Sequence, residues 1–260
     1  MSNFNSYYWK SAKLETNILA EALKKLVSPD STSEQKLASF RVLLESDSTI
    51  AQGIAFDQFF YNESLTRLGS NNLYARDAEL LVEKARAQLR KPPVKVTVDN
   101  QEIVGANHAS ALGVLARLGN ENDISQIAFV LKSSSDVNVL GMGLRASRTC
   151  LRDSNDVHVE IIEVLKQIIF NISLHLSIRK DAIYALAEYR VPEAEAILVE
   201  SIENFPLPLS AAAAWILGAR DREKYLPLLH QLSNSWPPDA PYPASEVREL
   251  LSTDLEEDED

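Results

Sequence analysis

Between nearly every pair of turn signals in this chain, apolar residues recur three and four positions apart, and almost nowhere do they alternate strictly. Residues three and four apart share one face of an α-helix, whereas a half-buried strand needs a period of two. A chain patterned this way must fold by packing helices on one another. Composition agrees: glycine occurs only 8 times in 260 positions, and hydrophobic residues make up 45 %, enough for a sizeable core. No apolar run approaches the roughly 18 residues needed to cross a bilayer, so a membrane span is not expected.

The periodicity predicts a first helix from about Tyr8 to Val27, with Leu14, Ile18, Leu19, Ala22, Leu23 and Leu26 on one stripe and a stop at Ser28-Pro29-Asp30. Ser31 with Glu34 has the spacing of a capping box and opens a second helix through Leu37, Phe40 and Leu44. A third covers Ile50 to Tyr61, where Phe56, Phe59 and Phe60 fit one core stripe. A fourth runs from about Leu73 to Leu89 and ends at Lys91-Pro92-Pro93, because proline lacks the amide that the helical ladder needs. Tyr7, Tyr8 and Trp9 precede this pattern and are open between a cap over the first helices and a sticky edge.

One stretch breaks the helical period. Val94-Lys-Val-Thr-Val98 alternates, Asp99-Asn100 follows, then Gln101 to Val104. It reads as a short hairpin or an extended loop within residues 93–105. Its Pro-Pro start and Gly105 end divide the chain into an N-terminal helical region at 1–92, an extended insertion or hinge at 93–106 and a repeat region at 107–251.

Charge adds a fourth segment. The net charge is −11, and residues 252–260 alone carry six acidic groups and no basic one. Like charges repel and Leu255 alone buries little, so this segment reads as a disordered acidic tail, either solubilising the chain or steering a basic partner. A net negative chain is a poor ligand for phosphates, which argues against a nucleic-acid partner. Cys150 is the single cysteine, and Met1 to Lys13 lacks a signal pattern; a cytoplasmic address is expected.

Set against itself, the chain repeats one template: Ala, an apolar residue four later, another three further on, a turn and a second amphipathic helix. Ala111, Leu115, Leu118 and Ile127 match Ala182, Leu186, Tyr189 and Leu198, and again Ala212, Ile216, Ala219 and Leu228, with a looser copy at Ala146, Cys150 and Ile162. A two-helix unit cannot bury both apolar faces alone, and stacked copies build one continuous core. The expected architecture is therefore an all-α, right-handed α-solenoid of antiparallel helix pairs.

At these residues the chain resembles the HEAT-like repeat superfamily, and in particular the short repeats of phycobilisome bilin lyases. Ile178-Arg-Lys-Asp-Ala182-Ile-Tyr-Ala-Leu186-Ala resembles that variant's signature, and Leu217-Gly218 resembles the pair that closes its first helix. The resemblance covers about residues 107–234 and implies a fold that hosts scaffolds, lyase subunits, glycosylases and hydroxylases. The hydroxylase branch carries paired His-Glu dipeptides; none of His108, His158, His175 and His230 is followed by Glu, so that branch is excluded. The glycosylase branch has a cationic concave face, which these acidic repeats do not match.

The candidate chemistry is sparse. No histidine has a second ligand at metal spacing, apart from His158 with Glu160, two residues apart and so on different helix faces; no metal site and no catalytic residue is assigned. His108 is singled out because it begins a first-of-pair helix. Cys150 sits at a core template position and reads as a buried small hydrophobe. Gly141-Met-Gly143 lacks the third glycine and the strand of a phosphate loop, and Asn62-Glu63-Ser64 is an idle glycosylation pattern without a secretory signal. The basic set Arg145, Arg148, Arg152, Arg179 and Lys180 is the second binding candidate; the first three share one helix face, and the alternative is pairing with Asp153, Asp156 and Asp181. Together these features point to a non-catalytic protein-binding solenoid, a scaffold, adaptor or immunity-type inhibitor, that is a monomer or weak dimer without cofactor. The alternative is a bilin-lyase-like enzyme or subunit, holding a tetrapyrrole or other small ligand near His108, Arg148 and Arg179.

Overall fold

The structure, a computed structural model, describes residues 7–65, 72–152, 154 and 156–252. Among them the chain is all-α apart from one two-stranded hairpin, and it divides into two compact units, Met1–Cys150 and Leu151–Asp260. The division does not fall at the segment 93–106 expected to be a hinge. That segment lies within the first unit, tied down by its own hydrogen bonds.

In the first unit, α1 (Asn17–Val27) opens on Thr16, whose hydroxyl accepts from the Leu19 amide at 3.3 Å. It starts well after Tyr8, because Tyr8 and Trp9 do not continue its stripe but turn into the core. Trp9 is only 1 % exposed, donates from Nε1 to Ser110 Oγ at 3.0 Å and lies against Gly53, where a Cβ would collide with the indole. The N-terminal aromatics are therefore packing residues, not an edge.

α2 (Ser33–Glu45) carries a capping box, but it is built by Thr32 and Gln35, one residue beyond the expected pair. Gln35 N donates to Thr32 Oγ1 at 3.2 Å, and the Gln35 side chain returns to the Thr32 amide at 2.9 Å. α3 (Thr49–Leu65) buries Phe56, Phe59 and Phe60 as predicted, and its burial continues round to Gln52, Asp57 and Gln58. It is embedded between α2, α5 and α4 (Ala78–Leu89), the last preceded by a 3₁₀ turn at Leu73–Asp77.

The extended segment is a hairpin of β1 (Lys95–Val98) and β2 (Gln101–Val104), antiparallel with Val96 opposite Ile103. Asp99 and Asn100 both take left-handed backbone angles, φ 49° and 66°, as a tight two-residue hairpin turn requires. Val98 and Ile103 bury on one face, while Lys95 and Glu102 pair on the other at 3.1 Å. A two-stranded ribbon is marginal in water, so this one face must lean on the helices. The unit is completed by α5 (Ala106–Leu118), α6 (Ile124–Ser133) and α7 (Val137–Leu151).

The second unit contains α8 (Val159–Phe170), α9 (Leu176–Ala187), α10 (Pro192–Asn204), α11 (Leu209–Arg220), α12 (Arg222–Ser235) and α13 (Ala244–Ser252). α8 packs on α9, α10 on α11 and α12 on α13, while α8 also lies beside α10 and α9 beside α11. The Arg220 guanidinium reaches from α11 to the C-terminal carbonyls of α9, donating to Leu186, to Ala187 at 3.2 Å and to Tyr189 at 2.8 Å.

The repeat template falls on helices that follow one another in the chain, and its positions are mostly buried. Ala111, Leu115, Ile127, Ala182, Leu186, Tyr189, Leu198, Ala212 and Ile216 are all buried, as are Ala146, Cys150 and Ile162. The third copy departs: Ala219 is exposed, and Leu229 replaces the half-buried Leu228 in the core. The reason is Gly218, whose missing Cβ leaves room for the Leu229 methyl at 2.8 Å and for Leu250 at 3.2 Å. Of the expected acidic tail, Ser252 closes α13 and residues 253–260 lie outside the described residues.

Candidate functional site

The C-terminus of α4 and the body of α6 form two walls of an open cleft in the first unit, about 1060 Å³ in volume. Its floor is the Lys91–Pro93 linker and the root of the hairpin at Val104. Proline favours extended backbone before it and offers no amide, so this linker cannot join α4 and must be held by side chains. Asn107 and His108, in the first turn of α5, do that work.

Asn107 is fully buried: its Oδ1 accepts from the Val94 amide at 2.8 Å and its Nδ2 donates to the Pro92 carbonyl at 3.1 Å. His108 Nε2 stands 2.9 Å from the Lys91 carbonyl, so its Nε2–H tautomer donates there. Gly105 closes the hairpin at φ 97°, a left-handed angle that glycine adopts without strain, and donates its amide to Val94 O at 2.9 Å. The Asp136 carboxylate accepts from the Val104 amide and the Asn138 amide, both at 2.9 Å, joining β2 to the start of α7.

The α4 and α6 walls are joined by charge. Arg86 donates to Asp123 from Nε at 2.6 Å and from a terminal nitrogen at 3.1 Å, and Asp123 is 1 % exposed. That hydrogen bond holds the Arg86 guanidinium above its ordinary value. Gln126 adds a bond from α6 to the Arg86 carbonyl at 3.0 Å. The pair is buried on the Asp123 side and fully paired, which is the condition under which a buried carboxylate is tolerated.

What remains available in the cleft is of another kind. Phe129, on α6, is 68 % exposed. Arg90 donates Nε to the Arg86 carbonyl at 3.1 Å, Lys91 reaches Thr49 Oγ1 at 3.4 Å, and neither meets a carboxylate among the described residues. The exposed hydroxyls of Ser125 and Ser135 also line the cleft. Every carboxylate and histidine in the lining is engaged in holding the walls, so the surface presents an aromatic ring, two cations and hydroxyls. Among the described residues, its lining is equipped to recognise a ligand.

Of the sequence-selected residues, His108 lines this cleft, as a positioning group. Arg145 and Arg148 are exposed on α7 and are not among the lining residues. α7 ends at Leu151, so Arg152 stands beyond it in a turn and pairs with Glu188 at 3.7 Å; Asp153, its expected partner, lies outside the described residues. Arg179 is buried: it donates Nε to the Ile169 carbonyl at 2.8 Å and stacks over Phe205 at 4.6 Å, which makes it a packing residue and removes it from a binding face. Lys180 lies over the Tyr242 ring at 5.8 Å. The basic set is thus divided between the two units, with two members on α7 of the first and three in the second. Arg90, Lys91 and Phe129 went unselected, although Phe129 carries a readable signal: it is an aromatic off the α6 stripe of Ile124, Ile127, Ala128 and Leu131.

The described residues thus define an all-α protein with a preformed cleft beside a buttressed hairpin. Compared with protein-family models, curated proteins and solved structures, the chain matches none.

Proposed function

We propose that this chain is a cytoplasmic, non-catalytic protein-binding module, a scaffold, adaptor or inhibitor, built as a right-handed solenoid of HEAT-like helix pairs. The observation that carries the reading is the cleft itself: open, walled by side chains already committed to structure, and lined by an exposed aromatic ring beside two cations without carboxylate partners. Exposed aromatic and arginine side chains are the residues on which protein interfaces concentrate their energy. The solenoid reading is supported by the second unit, where alternate helices lie side by side and each pair contacts the next. Among the described residues no helix is long and apolar enough to cross a membrane.

A small-ligand reading, of the bilin-lyase kind, draws support from the cleft volume, which is in the range of small-molecule sites. Its expected residues do not gather, since of His108, Arg148 and Arg179 only His108 lines the cleft. Affinity capture from the source organism's lysate at moderate salt, read by mass spectrometry and visible absorbance, separates the two. A stoichiometric protein without chromophore, retained by the wild type and lost with Phe129→Ala, supports the binding module. A coloured eluate without a protein partner transfers the assignment to the lyase-like enzyme.

A further inference from the structure

We propose that the cleft between α4 and α6 takes an extended acidic segment of the partner protein, with a carboxylate on Arg90 and Lys91 and an aromatic or aliphatic side chain on Phe129. The inference rests on the protein-binding reading and adds the chemistry of what is bound.

Charge is the first argument. The lining holds three cations, Arg86, Arg90 and Lys91, and two carboxylates, Asp123 and Asp136. Asp123 is neutralised by Arg86, and the Asp136 oxygens are taken up by amide donors of Val104 and Asn138. What is left without a carboxylate is the positive charge of Arg90 and of Lys91, whose ammonium stands 3.4 Å from Thr49 Oγ1, in a chain whose net charge is −11. A planar guanidinium and an adjacent ammonium are suited to a carboxylate, which gains charge-assisted hydrogen bonds from both. Two cations are too few for a nucleic acid, whose affinity grows with the number of phosphates neutralised.

Shape is the second. The linker at Lys91–Pro93 is fixed by Asn107 and His108, so the floor requires no ordering when a ligand arrives. Phe129 is exposed on one wall, with Pro92 and Pro93 contributing apolar surface to the floor. The hydroxyls of Ser125 and Ser135 can satisfy backbone groups that an extended segment, unlike a helix, leaves free. The negative charge of the whole chain opposes the approach of such a segment only at long range: at physiological salt it is screened over about 8 Å, whereas the cleft acts at hydrogen-bond distance.

The probe is a phage-displayed library of random twelve-residue peptides panned on the full chain, with enriched peptides titrated by fluorescence anisotropy. The expected result is enrichment of Asp or Glu within a few residues of Phe, Trp or Leu. Affinity should fall about tenfold or more with R90E/K91E and again with Phe129→Ala, as the loss of charge-assisted bonds and of apolar cover implies. Arg145→Glu, on α7 outside the cleft, should bind as the wild type. The inference is overturned if no peptide is enriched, if enriched peptides lack acidic residues, if R90E/K91E binds them unchanged, or if an oligothymidylate displaces them. A captured lysate protein whose binding ignores R90E/K91E and Phe129→Ala would overturn this inference while leaving protein binding elsewhere on the chain intact; capture of a pigment alone would remove the protein-binding reading itself.

Discussion

Burial pushes the Cys150 thiol up to about 12, with the nearby Asp123 charge acting in the same direction. Since the thiolate is the reactive form, Cys150 in the native chain should fail to react with a disulfide reagent at about pH 8 and react fully once unfolded in guanidinium; rapid native labelling would contradict its burial. The sequence template placed this residue correctly, because a core position on a helix stripe is a local property. Trp9 was not legible in the same way. It precedes the first helix, and its burial depends on Ser110 and Gly53, far away in the chain. Gly53→Ala should lower stability by about 1–3 kcal/mol, the usual cost of overpacking a filled core, measured as a shift in the urea midpoint without a change of slope. Arg179 illustrates the converse: a cation that looked available by composition is spent on a helix carbonyl and an aromatic face.

At the scale of elements, Pro92-Pro93 ended α4 as the sequence predicts, and the alternation at 94–104 marked the hairpin without deciding between ribbon and loop. Asp99 and Asn100 decide it, being residue types that tolerate the left-handed angles of the turn. The linker before the hairpin is held by side chains, because extended backbone moves freely only if its polar groups are left to water, and here Asn107 takes two of them. Asn107→Ala should leave the half-buried Val94 amide and the exposed Pro92 carbonyl without their side-chain partner, lowering stability by about 1 kcal/mol. The Val94 amide should lose hydrogen-exchange protection, and protection equal to the wild type would show that the linker is held by other means. The capping box shifted by one residue because Ser31-Thr32 and Glu34-Gln35 offer two boxes at the same spacing, and only the packing of α2 selects between them.

For the whole molecule, alkaline pH is the informative variable. Burial raises the phenols of Tyr8, Tyr61, Tyr74 and Tyr189 above their ordinary value of 10.0, and the Cys150 thiol above 9.0. The folded chain thus keeps protons that the unfolded chain releases, so this stability is complete below those ordinary values and is lost as pH rises through the folded ones. The urea midpoint should stay level near neutral pH and fall progressively above about pH 9; a midpoint that rises there would refute the burial of these groups. Removing residues 253–260, which carry six acidic groups, should slow association with a basic partner at low salt and have no effect at high salt, read by stopped-flow. By itself the sequence determined the helical class, the place of the hairpin and the distribution of charge, all of which follow from local period, proline and turn residues. Only the tertiary structure decided that the chain divides at Cys150, that Trp9 and Arg179 are buried, and that Arg90, Lys91 and Phe129 share one cleft. The reason is physical: periodicity fixes the direction in which a side chain leaves its own helix, but whether that direction meets water or a neighbour is set by elements distant in the chain.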